Sequence, residues 1–173
     1  MISRYLSLPL LLLAAIVQST LMPDFQVASG RADLIFTMAL AWALLAGSDQ
    51  GVLWALVGGV CRDFIDGLPL GLSAMALITV VFAISRFTGP LERGNWLLPP
   101  VLAAIGTGAY YLLLVGLYTL FGHAPPIAYS LLNVALPSVA MNAALMIVVY
   151  RLLAILHYAL TPRRVSAFSG TRP

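Results

Sequence analysis

Apolar residues run along this chain in long blocks separated by short polar breaks: Tyr5 to Leu21, Asp33 to Leu45, a run starting at Gly51, Leu70 to Ser85, Leu97 to Phe121, and Ala128 onward. Blocks of this length and apolarity predict an all-α integral membrane protein, a compact bundle of six transmembrane helices. Five is the alternative, because the two blocks flanking Gly47-Ser48-Asp49-Gln50 are each shorter than the roughly 20 residues that a straight crossing of a ~30 Å core needs. The first block resembles a signal sequence, with Arg4 before it, but Gln18, Ser19, Thr20 and Met22 do not make a small-x-small cleavage site and Pro23 follows at once. The last block is too long for one crossing: Ala128 to Tyr150 already covers roughly 35 Å at ~1.5 Å per residue. Arg151 then snorkels to the surface, and Leu152 to Leu160 continues as an extension that Thr161-Pro162 ends. Residues 1–160 therefore read as a single transmembrane domain, and 161–173 as a basic cytoplasmic tail, disordered, with its arginines near anionic headgroups.

Composition agrees with the pattern: 61% of residues are hydrophobic, 9% are charged and the mean hydropathy is +0.99. Little is left for a soluble catalytic domain of ordinary size. All 9 basic residues are arginines, and in a membrane chain their distribution reports topology before it suggests a nucleic-acid partner. With six spans and the N-terminus inside, Arg4, Arg86, Arg93, Arg151, Arg163, Arg164 and Arg172 fall on the cytoplasmic side and only Arg31 and Arg62 outside. Both termini are then cytoplasmic, as the positive-inside bias requires. Trp96, just before Pro99 and Pro100, reads as an interfacial anchor leading into a helix start that tolerates proline. The single cysteine, Cys61, excludes an intramolecular disulfide and a multi-cysteine metal site.

The charges that do not fit this picture stand together in Cys61-Arg62-Asp63-Phe64-Ile65-Asp66-Gly67-Leu68-Pro69-Leu70-Gly71. The uncharged run before them, Gly51 to Cys61, is roughly 16 Å of helix, about half of the hydrocarbon core. Arg62, Asp63 and Asp66 are thus expected short of the outer headgroups, facing protein or water. Arg62 and Asp66 stand at i and i+4 and can pair on one helix face. Asp63 points about 100° away and is left for another partner. Asp66-Gly67 followed by Pro69 reads as a helix stop and tight turn, with Leu70-Gly71 opening the next span. The bland reading is a self-neutralising Arg-Asp pair beside an aspartate that caps a helix. The sharper one makes the hairpin an outward-facing pocket or partner contact, built from Asp63, Arg62, Asp66, Gly67, Pro69, Leu70 and Gly71.

Elsewhere the polar residues read as packing devices. Gln18, Asn133 and Asn142 suit hydrogen bonds between helices, and Pro137 frees the carbonyl of Asn133 and kinks the last helix. Ala39, Ala43 and Gly47 make a small-residue stripe on the second span, and Gly58-Gly59 lets the third pack closely. His123 has no second ligand in sight, so no metal site is expected. No nucleophile-base-acid set, no His-Glu metal spacing and no phosphate loop with a lysine occurs, so neither catalytic residues nor a cofactor is expected.

The order of these features resembles the bacterial rod shape-determining MreD family. Gln18 and Pro23 close the first span, Arg31-x-Asp33-Leu34 opens the second with Trp42 inside it, and glycines occupy the third. Asp63-x-x-x-Gly67-x-x-Leu70-Gly71 follows, then Asn133 with Pro137 in the last span. The resemblance covers the chain from the first span to Arg151, and the Asp-x-x-x-Gly-x-x-Leu-Gly pattern is its most specific part. Arg62 beside the aspartate, and Asp66 where small polar residues are common in the family, depart from it. The resemblance implies a non-enzymatic inner-membrane scaffold of the machinery that elongates the side wall. Its implied partners are the single-span protein MreC and, through it, a RodA-type glycosyltransferase and a class B penicillin-binding transpeptidase, with the MreB filament inside. It also implies the six-helix architecture of the substrate-binding subunits of energy-coupling-factor vitamin transporters. The alternative function is a vitamin-like small-molecule binding subunit of a transporter, with Tyr110, Tyr111 and Tyr118 available to line its cavity.

Overall fold

The computed structural model describes residues 2–21, 26–27, 29–66, 70–88, 96–122 and 130–160, with the side chains of residues 2–8, 21, 26–27 and 66 outside that description. The described residues form six α-helices: α1 Ile2–Leu21, α2 Leu34–Ala46, α3 Ser48–Asp66, α4 Leu72–Thr88, α5 Leu98–Leu120 and α6 Leu136–Leu160. A two-residue antiparallel ribbon, β1 Gln26–Val27 with β2 Gly30–Arg31, joins α1 to α2. A π-helical turn, Ser130–Ala135, leads into α6. Among the described residues, only α5 and the continuous Ser130–Leu160 segment are both long and apolar enough to cross a membrane by length and composition.

The short block of the sequence is α2, and its place in the bundle explains its length. Ten of its 13 residues are buried, from Ile35 to Leu44 without a break, as in a helix that is apolar all round and has no solvent face. It packs against all five other helices. At ~1.5 Å per residue, 13 residues span about 20 Å, so this central helix stops well short of a ~30 Å core. The space beyond its N-terminus is taken up by the ribbon and a cleft.

Close approach surrounds that central helix. Gly47, with φ 95° and its N–H on the Ala43 carbonyl, turns α2 directly into α3. It is therefore the helix terminator, not part of the packing stripe expected of it, and open space lies where its Cβ would be. Ala39 and Ala43 are fully buried, and a Cβ on Gly51 would stand 2.2 Å from that of Ala43. Gly58 lies against Ile35 and Leu11, and Gly59 against the backbone of Ala74 in α4. The third helix begins at Ser48, three residues before the expected Gly51, because Gly47 allows a turn too tight for a polar loop.

Pro137 acts as its chemistry requires, through a π-helical turn. Proline at 137 cannot donate to the carbonyl of Asn133, and that carbonyl instead accepts the Ser29 amide of the ribbon at 3.3 Å. Gly30 seats the ribbon on the same turn, where a Cβ would stand 2.7 Å from Pro137 Cβ and 2.8 Å from Ser138 N. The remaining boundaries fall within a few residues of expectation. Pro99 and Pro100 sit in the first turn of α5, and α6 ends at Leu160, before Thr161-Pro162. His123, Gly67, Pro69 and the tail from 161 lie outside the described residues.

Candidate functional site

The N-terminus of α2 is held by side chains from three other helices. Asp33 is its N-cap: Oδ1 accepts the Phe36 amide at 2.9 Å, satisfying one of the four N–H groups that a helix start leaves unpaired. Gln18 of α1 takes two more, its Oε1 accepting from Leu34 at 2.8 Å and Ile35 at 3.2 Å. The Asp33 amide donates to Asn142 Oδ1 of α6 at 2.6 Å, and Asn142 Nδ2 donates to Thr107 Oγ1 of α5 at 3.1 Å. Asp33, Thr107 and Asn142 are all essentially inaccessible to solvent. The Gln18 and Asn142 side chains thus hydrogen-bond across helices, while Asn133 contributes its backbone carbonyl to the ribbon.

A carboxylate buried at that depth requires a cation. It is Arg62 of α3, whose guanidinium pairs with Asp33 Oδ2. The guanidinium also lies over the ring of Tyr110, 5.5 Å from its centroid, where the ring quadrupole favours a cation. Arg62 was expected to pair along its own helix with Asp66, whose side chain lies outside the described residues; the described pair runs to another helix. An i to i+4 partner is all that helical spacing reveals, and Asp33 stands 29 positions away.

Asp63 turns to the backbone of its own hairpin. It is 1% exposed, and its two oxygens accept the amides of Gly71 at 2.7 Å and Ser73 at 3.2 Å. It caps α4 across the hairpin. Gly71, with φ 100°, adopts a backbone conformation that side chains resist, while Leu70 is 64% exposed beside it. Ser73 Oγ and the Tyr110 hydroxyl, both buried, lie close to one another without a hydrogen bond of ordinary geometry.

Above the start of α2 opens a cleft of about 540 Å³. Its lining mixes polar Gln18, Arg31, Asp33, Arg62 and Tyr111 with apolar Ala15, Ile35, Ile65 and Val134. The Tyr111 hydroxyl lies 3.2 Å from Ser138 Oγ, which also accepts the Arg31 amide at 3.0 Å. Of the expected hairpin residues that are described, only Arg62 lines this cleft. Sequence reasoning missed Asp33 as a site residue, although an aspartate directly before an unbroken apolar run is a helix-start signal that also demands a buried counterion. Among the described residues no group of three metal-ligating side chains comes together.

No curated protein and no solved structure matches the chain. A family model described as rod shape-determining protein MreD matches residues 1–159. That span takes in every helix of the bundle, the capped start of α2 and the Asp63 hairpin, and the chain belongs to the MreD family of rod shape-determining membrane proteins.

Proposed function

We propose that this protein is a non-enzymatic scaffold of the cell-elongation complex. It spans the cytoplasmic membrane six times with both termini inside and holds the transmembrane helix of MreC. Through MreC it supports a RodA-type glycosyltransferase and a class B penicillin-binding transpeptidase, with the MreB filament on the inner side. The observation that carries this reading is where the charges go. Asp33, Arg62 and Asp63, the most buried charged groups among the described residues, are spent on capping two helices and on pairing two. Such groups fix geometry and leave no acid, base or nucleophile poised for a substrate.

The hairpin between α3 and α4 is the proposed contact for the partner helix. Exposed Phe64, Ile65 and Leu70 border it, with Gly67 and Pro69 between them in sequence. Asp63→Asn keeps one acceptor oxygen but turns an N–H₂ toward a backbone donor. It is expected to cost about 1 kcal/mol of local stability, leave the bundle folded and weaken co-purification of MreC. A folded Asp63→Asn chain that retains MreC in full would remove the hairpin from the contact. The cleft favours a second reading, a vitamin-like ligand bound by a transporter subunit. Tyr111 lines it while Tyr110 is packed beneath Arg62.

A further inference from the structure

The cleft at the start of α2 is lined by a cation, Arg31, that has no ion-pair partner among the described residues. Arg62 pairs with Asp33, and both Asp33 oxygens already accept hydrogen bonds. The Arg31 backbone is pinned by the Ser138 hydroxyl and by the ribbon register with Gln26, so its guanidinium is tethered at the cleft. The α2 axis adds to the field, since a helix N-terminus carries a partial positive charge of roughly half a unit even when its amides are capped. A guanidinium lining a cleft of a membrane bundle favours an anionic partner. Ala15, Ile35, Ile65 and Val134 also line the cleft, and Ile65 is 45% exposed, so the cavity suits a molecule with an anionic head and a greasy continuation.

We propose that this cleft is a binding site for a phosphate group carried on a lipid, with Arg31 as its principal donor and the Arg62–Asp33 pair as its neutral floor. Phosphate fits a guanidinium fork through paired N–H donors. The site is independent of the scaffold reading and stands whether or not a partner helix docks at the hairpin.

Native mass spectrometry of the delipidated full chain in a neutral detergent tests it, with phosphatidylglycerol, diacylglycerol of the same acyl chains, which lacks the phosphate, and glycerol 3-phosphate as probes. One phosphatidylglycerol is expected to bind about tenfold or more tightly than diacylglycerol, the scale of a charge-assisted hydrogen bond. Arg31→Gln is expected to abolish that preference and Arg31→Lys to keep most of it. Arg86→Gln and Arg151→Gln, at other exposed arginines, are expected to leave it unchanged. Glycerol 3-phosphate competing as well as the lipid would support the phosphate site and assign it to a soluble ligand. Equal binding of the two lipids by the parent chain would overturn the proposal, as would undiminished preference in Arg31→Gln.

Discussion

Asp33→Asn lowers the stability of the folded chain by about 3–5 kcal/mol, although asparagine caps helices about as well as aspartate. The loss comes from Arg62, whose side chain, only 16% exposed, loses the Asp33 carboxylate it pairs with. Arg62→Met has a comparable effect by the converse route, stranding a carboxylate whose side chain is 4% exposed. The double replacement is the informative one. Asparagine still caps α2, methionine still covers the Tyr110 ring, and no buried charge remains, so most of the single-variant loss is recovered. Thermal unfolding in detergent, followed as the fraction remaining monodisperse, measures all three. Losses that simply add would mean that the two groups do not depend on each other.

The second large effect is expected at Gly59. A Cβ there would stand 2.3 Å from the Cα and 2.7 Å from the amide nitrogen of Ala74, and backbone atoms cannot rotate out of the way. Gly59→Val therefore separates α3 from α4 and costs more than the ~1–3 kcal/mol of ordinary overpacking. It should be seen as loss of folded, monodisperse protein on size-exclusion chromatography. Gly116→Ala is the control, since nothing lies within 4 Å of the added methyl group. It should leave stability equal or slightly higher, as removing glycine from a helix interior does. Normal behaviour of Gly59→Val would mean that α3 and α4 are not in backbone contact.

Much of the fold was legible because its punctuation is local. Asp33 before an apolar run, Pro99-Pro100 at a helix start and Thr161-Pro162 after a helix end each act within one turn of where they stand. The frontier at Gly47 was misread, since a glycine four residues after Ala43 fits a packing stripe as well as it fits a terminator, and only its φ of 95° decides. Pro137 gave the freed carbonyl correctly, but its acceptance of the Ser29 amide depends on a ribbon no periodicity announces.

The site was less legible for the same physical reason. Spacing tells which residues share a face of one helix, so it offered Asp66 to Arg62 and left Asp63 unpartnered. The contacts that matter run between helices: Arg62 to Asp33, Asp63 to the amides of Gly71 and Ser73, and Asn142 to Asp33 and Thr107. The central position of α2 was likewise hidden. An all-apolar helix faces lipid or protein equally well, and which one surrounds it is a property of the whole bundle.

The most direct test of the scaffold role is native mass spectrometry of the tagged protein extracted gently from its own membranes. The predicted spectrum shows the chain carrying the mass of a whole single-span protein subunit, reduced by Asp63→Asn, with any lipid adducts additional to it. A chain that carries only adducts of metabolite or lipid size, with no protein bound, would contradict it and make this a ligand-binding subunit.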